Sequence, residues 1–384
     1  MLGFKNIDVY VEGKGIITTD IAIENGKISA IEKGLNIEEI EKFNENVVVV
    51  PGFIDEHIHG ADGADAMDGS VEALSKIANA VAKEGTTTFL ATTMTQSPEN
   101  ITKALNAVKE YVEKDYEDGA KVLGVHLEGP FISPKHIGAQ PLEYVANGNV
   151  EVFKKYYEDS GKTIKIVSLA PEMEGAEELI TYLKENGVIA SIGHSGAKYQ
   201  ECENSVKWGV SNITHTYNAQ AGLHHRDAGV VGAALLIDDV NCEIICDTIH
   251  VSIPAIKLVV KNKPHDKVTL ITDSMRAKHL PDGESELGGQ LVIVKNGEAR
   301  LTNGALAGSV LKMNDAIKNV VKNNVVSFTD AIDFATINPA KNLGIDKETG
   351  SIKVGKNADL VVMNKETFEV LLTIRNGKVI YKAN

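Results

Sequence analysis

The central part of this chain alternates between short apolar segments typical of β-strands and longer segments typical of helices. Two of the helix-like segments, 71–85 and 176–187, have a helical period and end at a glycine, a common helix stop. Alternating strands and helices form parallel sheets, because consecutive parallel strands need a crossover connection. The eight strand-like segments lie at 47–59, 86–93, 121–129, 164–172, 188–194, 212–218, 242–250 and 267–273. Eight repeats predict an α/β fold in which the strands close into a (β/α)₈, TIM-like barrel.

An open, doubly wound parallel sheet is the main alternative to this barrel. In its nucleotide-binding form such a sheet carries a glycine-rich phosphate loop after an early strand. Neither GxGxxG nor GxxxxGK[ST] follows an early strand of this sequence. The pattern therefore favours the closed barrel.

The two ends of the chain have a different pattern, in which apolar and polar residues alternate over short stretches. Each end also contains an Asn-Gly pair, at Asn25-Gly26 and Asn376-Gly377, which is a strong signal for a tight hairpin. We predict one small β-sandwich domain formed by 1–50 and 352–384, beside the (β/α)₈ barrel over 51–351. Two independent edge hairpins are the alternative arrangement.

Charge and cysteine content limit the kinds of partner. The chain has 39 Lys and Arg against 53 Asp and Glu, a net charge of −14, whereas binding to nucleic acids or anionic membranes needs a basic surface. Its 3 cysteines cannot form a disulfide framework. The N-terminus does not read as a signal peptide, and the apolar runs are shorter than the roughly 18 residues of a membrane span. We therefore predict a cytoplasmic protein with neither nucleic-acid nor membrane partners.

Six polar residues stand at or near the carboxyl ends of predicted barrel strands. Those ends converge on one mouth of a barrel, where barrel enzymes have their active sites. Taken singly, each residue could equally be a hydrogen-bonded histidine or a helix cap. Taken together, nitrogen and oxygen donors without thiolates suit a divalent ion such as Zn²⁺ or Fe²⁺. The six residues are His57, His59, Glu128, His194, His215 and Asp273.

Other histidines have weaker claims to a function. His57 and His59 can share one strand face because their spacing is two, whereas His126 is expected only near the ligands. His224, His225 and Arg226 form a basic cluster that could clamp an anion or could be a solvated loop.

Several motifs resemble the amidohydrolase superfamily, namely PGFIDEHIHG (51–60) and GSIKVGKNADLVVMN (350–364). A second group is similar to the N-acetylglucosamine-6-phosphate deacetylase family within it: HLEGPFISP (126–134), IGHSGA (192–197), THTYNA (214–219), LHHRDAGVVGAAL (223–235) and ITDSMRA (271–277). The resemblance implies a metal held by Glu128, His194 and His215. It also implies that His57 and His59 can hold a second metal, so that each subunit carries one or two.

The same resemblance implies the roles of further residues. Asp273 is expected to be the catalytic base that activates water and then protonates the departing amine. His136 or Gln140 would stabilise the oxyanion. Arg226 and His250 would meet the phosphate of a phosphorylated N-acetyl amino sugar, and the arginine can come from the neighbouring subunit of a homodimer or of a dimer-based oligomer. The implied substrate contacts are Ala139, Gln140, Asn218, Ala219, Arg226, Asp247, Thr248, Ile249, His250, Leu306, Ala307 and Gly308.

Three alternatives to this function remain at this point. Two segments, KHIGAQP and NAQAGLHHRDAG, depart from the usual family pattern near expected sugar contacts, which leaves N-acetylgalactosamine 6-phosphate as a rival substrate. Another amidase or a deaminase could use the same barrel, although an anion clamp is superfluous for a neutral substrate. A non-catalytic scaffold is disfavoured, because every candidate ligand is present.

Overall fold

A barrel of eight parallel strands forms the centre of the computed structural model, which describes residues 1–43 and 46–383. Neighbouring barrel strands follow each other in chain order. The first and last strands meet at their carboxyl ends, where the Asp273 N–H donates to the His57 carbonyl at 2.9 Å. The predicted fold class is confirmed. The barrel strands are β1 (Phe53–Ile58), β2 (Thr86–Thr92), β3 (Lys121–Glu128), β4 (Ile164–Leu169), β5 (Ile189–Ile192), β6 (Val210–Ile213), β7 (Asn241–Ile245) and β8 (Val268–Ile271).

Helices cover the outside of the barrel, and the first seven each connect two successive barrel strands. Their ends follow local sequence signals: the Ser70 hydroxyl accepts the Ala73 N–H at 3.1 Å at the start of the first helix. The second helix likewise begins with Pro98 behind a serine cap. The helices are α1 (Val71–Ala82), α2 (Pro98–Lys114), α3 (Val150–Asp159), α4 (Ala176–Glu185), α5 (Tyr199–Trp208), α6 (Gly229–Leu236), α7 (Ile253–Asn262), α8 (Met313–Lys322), α9 (Phe328–Ala335) and α10 (Ile337–Asn342).

Both chain ends contribute to a second, mainly antiparallel sheet. Alternate residues of its central strands face two different cores: Val49 and Val362 join a cluster within the small sheet, whereas Val48 and Val361 join the large core of the barrel. Because alternate residues of a strand lie on opposite faces of the sheet, these apolar strands supply one face to each of the two cores. The strands of this terminal sheet are Leu2–Val11, Gly15–Glu24, Lys27–Ile31, Glu38–Glu39, Val47–Pro51, Leu360–Asn364, Val370–Arg375 and Lys378–Lys382.

The segment 47–59, predicted as one strand, is two strands that belong to different sheets. Val47–Pro51 pairs with Leu360–Asn364 in the terminal sheet, and β1 pairs with β2 in the barrel. Gly52 separates them, and a Cβ there would lie 2.2 Å from the Thr87 hydroxyl oxygen. The division occurs at this residue because only glycine fits against Thr87.

Two other predicted strands end earlier than expected. The sixth stops at Ile213 and the seventh at Ile245, so the residues that follow each of them form turns. His215 and Thr248 have positive φ values of 30° and 68°, which interrupt an extended backbone.

A small three-stranded sheet follows the barrel, formed by Gly283–Leu287, Gln290–Lys295 and Glu298–Leu301. Its second and third strands form a hairpin at Asn296-Gly297, where both residues have positive φ. This small sheet matters for function because it lies beside the mouth of the barrel and contributes one wall there.

The predicted domain boundaries near residues 50 and 352 stay a prediction. Residues 44, 45 and 384, which that prediction assigns to the small domain, lie outside the described residues. Across 1–43 and 46–383, no helix combines the length and the apolar character needed to cross a bilayer.

Candidate active site

Glu128, His194 and His215 meet at the carboxyl end of the barrel. Glu128 Oε1 lies 3.0 Å from the Nε2 atom of each histidine. The two Nε2 atoms are themselves 3.2 Å apart. The three predicted ligands therefore aim their donor atoms at one point.

His57 and His59 approach the same carboxylate from the first strand. His59 Nε2 is 3.3 Å from Glu128 Oε2 and 3.2 Å from Asp273 Oδ1. His57 Nε2 is 3.6 Å from Glu128 Oε1 and 3.4 Å from Asp273 Oδ1. Glu128 thus stands between two histidine pairs: its Oε1 contacts His194, His215 and His57, and its Oε2 contacts His59.

Three of these histidines have a hydrogen-bond acceptor next to Nδ1, the ring nitrogen that faces away from Glu128. His194 Nδ1 donates to the His136 carbonyl at 2.9 Å, and His59 Nδ1 donates to the Thr92 carbonyl at 3.2 Å. His57 Nδ1 donates to Glu243 at 3.1 Å. With the proton on Nδ1, each Nε2 presents a lone pair to the centre of the cluster.

Lone pairs and carboxylate oxygens that converge at about 3 Å fit a bound cation. Nε2 of His57 is buried and has no hydrogen-bond partner among the described residues. Two groups with the spacing of a metal site share Glu128: Glu128 with His194 and His215, and Glu128 with His57 and His59. The residues present therefore fit one or two divalent metals held by nitrogen and oxygen donors.

The backbone turns directly after three barrel strands, and this aims side chains into the mouth. His194, His215 and Asp273 each stand two residues beyond a strand end, with φ values of 49°, 30° and 46°. Positive φ is uncommon for residues other than glycine, and such conformations cluster at functional sites.

The two carboxylates of the cluster are ionised. Burial favours the neutral form of Glu128, but the imidazoles of His57, His194 and His215 outweigh it and hold the pKa of Glu128 well below its usual value. Burial acts in the same direction on Asp273, and His57 and His59 outweigh it, so that the pKa of Asp273 falls to about 2. The floor of the site therefore attracts positive charge.

A cavity of about 240 Å³ opens above these residues. A larger groove of about 550 Å³ lies on the terminal sheet instead and is lined by none of the predicted site residues. The smaller cavity is thus the one that coincides with the chemistry. The predicted residues that line it are His59, Glu128, Ala139, Gln140, His194, His215, Asn218, Ala219, His250, Asp273, Leu306 and Gly308.

Several predicted substrate contacts lie outside this cavity. Arg226 is on an exposed loop, where its guanidinium donates to His225 Nε2 at 2.8 Å. Asp247 accepts the Nδ1–H of His250 at 2.6 Å and so orients a cavity residue from behind. Thr248, Ile249, Ala307 and the oxyanion candidate His136 are also absent from the cavity wall among the described residues.

The amide of Gln140 is already engaged within the protein. Its Nε2 donates to Glu128 Oε2 at 2.8 Å, and its Oε1 accepts the Thr95 N–H at 2.7 Å. Gln140 therefore lines the cavity while it fixes the orientation of the central carboxylate.

Sequence reasoning missed several residues of this site. Met94, Leu287 and Ala305 line the cavity from loops and from the small three-stranded sheet, where no periodic pattern marks them. Glu243, which contacts His57, could have been identified from the sequence, because it is a charged residue in the middle of the apolar strand β7. A fully buried carboxylate of that kind needs a specific partner.

Comparisons with known proteins agree with this geometry. Residues 48–380 match the sequence profile of the amidohydrolase family. The chain is 44% identical over 382 residues to the N-acetylglucosamine-6-phosphate deacetylase of Bacillus subtilis (strain 168), covering 98% of this chain and 96% of that protein. It is 36% identical over 344 residues to the N-acetylgalactosamine-6-phosphate deacetylase of Escherichia coli O157:H7, covering 90% of each. The crystal structure of the N-acetylglucosamine-6-phosphate deacetylase of Thermotoga maritima superposes with a TM-score of 0.89 at 36% identity, covering 99% of this chain and 100% of that one.

Proposed function

The chain belongs to the amidohydrolase family, and we propose that it hydrolyses the N-acetyl group of N-acetylglucosamine 6-phosphate to glucosamine 6-phosphate and acetate. The observation that carries this proposal is the meeting of Glu128, four histidines and Asp273 at the floor of one cavity. This cluster has the ligands, the base and the enclosed space that hydrolysis of an amide requires.

Asp273 is the group that moves protons in this reaction. Its carboxylate lines the cavity and is ionised at neutral pH, so it can accept a proton from the attacking water. The water oxygen adds to the acetyl carbonyl carbon, and the C–N bond then breaks. The protonated Asp273 returns its proton to the departing nitrogen, which leaves as the amine.

Glu128, His194 and His215 would hold one divalent metal, and His57 with His59 would hold a second beside it. When bound, such a metal polarises the acetyl carbonyl and lowers the pKa of a water molecule. We propose Zn²⁺ or Fe²⁺ because the donors are imidazole nitrogens and carboxylate oxygens.

The phosphate of the substrate needs donors that one copy of the chain supplies only in part. His250 lines the cavity, held by Asp247, but neither arginine nor lysine lines it among the described residues. We infer a homodimer in which the partner subunit's Arg226 completes the anion site. The exposed position of Arg226 supports this inference. A cytoplasmic location is proposed on the three free, buried cysteines and the acidic net charge.

Acetate release tests the function directly. We would compare N-acetylglucosamine 6-phosphate, its unphosphorylated form and N-acetylgalactosamine 6-phosphate, each with and without a chelator. Chelator-sensitive hydrolysis that requires the phosphate and prefers the gluco sugar is expected. Faster hydrolysis of the galacto sugar would favour the rival substrate, which one relative acts on by name. No acetate from any of the three with metal-loaded protein would refute the deacetylase function and favour another amidase or a deaminase.

A further inference from the structure

We propose that Glu243 is a positioning residue that links the His57–His59 ligand pair to the Glu128–His194–His215 set. This inference rests on the metal chemistry of the proposed function. Glu243 belongs to neither ligand group, yet it contacts a member of each of them. It therefore acts on the site through its ligands and not by direct contact with a substrate.

A single carboxylate oxygen of Glu243 makes both contacts. Its Oε2 accepts the Nδ1–H of His57 at 3.1 Å and the main-chain N–H of His215 at 3.3 Å. His57 comes from β1 and His215 follows β6, so this oxygen joins two parts of the barrel that are not neighbours. A shift of either ligand would lengthen one of the two hydrogen bonds.

The other oxygen of Glu243 argues against a purely structural role. Glu243 Oε1 is buried without a hydrogen-bond partner among the described residues, and the ring nitrogen of His126 is 4.0 Å away. Glu56, equally buried in β1, has both oxygens satisfied, by Asn241 at 3.3 Å and Asn342 at 2.9 Å. A buried carboxylate oxygen without a hydrogen-bond partner costs folding free energy. We infer that the two contacts of Oε2 to His57 and His215 offset this cost.

The contact with His57 determines how that ring is presented. With Nδ1–H held by Glu243, the Nε2 lone pair of His57 faces Glu128 and Asp273. Partners behind a ligating histidine fix its tautomer and orientation, and their loss typically weakens metal binding about 10- to 100-fold.

A third metal site formed by His57, His126 and Glu243 is the other interpretation of this cluster, since their spacing would permit it. Both ring nitrogens of His126 are already used, by the Glu56 carbonyl at 2.9 Å and by the Ser168 hydroxyl at 2.7 Å. His126 therefore has no lone pair to offer a metal without breaking a hydrogen bond, and the positioning role is favoured.

Titration of metal-free protein with Zn²⁺ alone, followed by calorimetry and elemental analysis, tests the proposal. We expect two equivalents in the unmodified protein and a second equivalent bound roughly 10- to 100-fold more weakly in Glu243→Leu. Glu243→Gln should stay within a few-fold, because its carbonyl oxygen can accept both hydrogen bonds. Glu56→Leu is the control matched for burial and should bind Zn²⁺ like the unmodified protein. Serine variants at both positions replace the leucine variants should these fail to fold.

Three results would overturn the proposal: unchanged Zn²⁺ binding in the folded Glu243 variant, an equal loss in the Glu56 variant, or a single equivalent in the unmodified protein. The acetate assay separates this inference from the proposed function. Selective Zn²⁺ loss in a protein that does not deacetylate any of the three sugars would leave the positioning role standing and remove the deacetylase function.

Discussion

Asp273 combines the properties that a base for amide hydrolysis needs. It is ionised, it lines the cavity, and its Oδ1 lies within 3.4 Å of Nε2 atoms from two ligand histidines. These contacts come from a single turn after β8, in which Asp273 has a φ of 46°. A short turn after β8 is therefore enough to place a proton acceptor beside the candidate metal ligands.

We expect Asp273→Asn to lower kcat for acetate release by about 10²- to 10⁴-fold, the usual contribution of a general base. The amide keeps the size of the side chain but cannot accept the proton. Zn²⁺ and substrate binding should persist, as measured by calorimetry. Asp115→Asn, at a carboxylate that is 79% exposed, is the control. Turnover of Asp273→Asn close to that of the control would exclude this residue as the base.

Asp20 provides a pH-dependent test in the terminal sheet. Its carboxylate accepts main-chain N–H groups of Asn6 and Gly34, both at 2.8 Å, and of Leu35 at 3.0 Å. The hydrogen bond from Asn6 has the largest effect and lowers the pKa of Asp20. Those from Leu35 and Gly34 lower it further, although burial acts in the opposite direction. The folded pKa lies below the unfolded value, so this stabilisation is complete above the unfolded pKa and is lost as pH falls through the folded one.

Asp20→Asn should therefore lower the free energy of unfolding at pH 7 by about 1–3 kcal/mol. The difference from the unmodified protein should shrink towards pH 3. Urea unfolding of both proteins at the two pH values measures it. An equal difference at both values would show that the charge of Asp20 does not contribute.

At the scale of elements, the sequence predicts whether a segment is a strand or a helix better than it predicts the residues at which that element begins and ends. A short, mainly apolar segment marks most barrel strands, because these strands are buried on both faces. The break at Gly52 depends on a contact with Thr87, and the turns at His194 and His215 depend on the packing of the barrel mouth. Such contacts join residues distant in sequence, so a single chain's pattern does not contain them.

The candidate site was predictable to a similar degree. The candidate metal ligands stand at or just beyond strand ends, where the architecture itself brings their donor atoms together. Which residues line the cavity depends on loops, and so Met94 and Leu287 were missed. The exposed position of Arg226 within one copy could not be predicted from its motif, because it depends on the loop conformation.

Gly52→Ala tests the junction between the two sheets. A Cβ at this position would lie 2.2 Å from the Thr87 Oγ1 and 2.4 Å from its Cγ2, so the strands must separate. We expect a loss of about 1–3 kcal/mol in the free energy of unfolding. Gly222→Ala is the matched control, because nothing lies within 4 Å of its added Cβ. Equal stability of the two variants would contradict a steric role for Gly52.

At the scale of the whole molecule, the site depends on most of the chain. Its ligands and base come from β1, β3 and the turns after β5, β6 and β8. The barrel must close before Asp273 reaches His57 and His59, so the proposed metal binding would be coupled to folding. The proposed dimer extends this dependence to a second copy.

Mixing two impaired variants tests the shared site, with the substrate kept well below the KM of the arginine variant. Arg226→Ala should raise KM for the phosphorylated sugar, and Asp273→Asn should lower kcat by about 10²- to 10⁴-fold. Unfolded together and refolded, equal amounts of the two should regain about a quarter of the normal activity, because half of the dimers are mixed and each has one intact site. Activity no higher than that of the separate variants would show that Arg226 does not act across an interface.

The terminal sheet has a consequence for the synthesis of the chain on the ribosome. Val47–Pro51 lies between Leu2–Val11 and Leu360–Asn364, so one edge of this apolar strand has its partner only when the C-terminal region has been made. An unpaired, apolar strand edge is a template for aggregation. The nascent chain must therefore shield Val47–Pro51 while the entire barrel emerges, and chaperones that cover extended apolar segments would act at this strand.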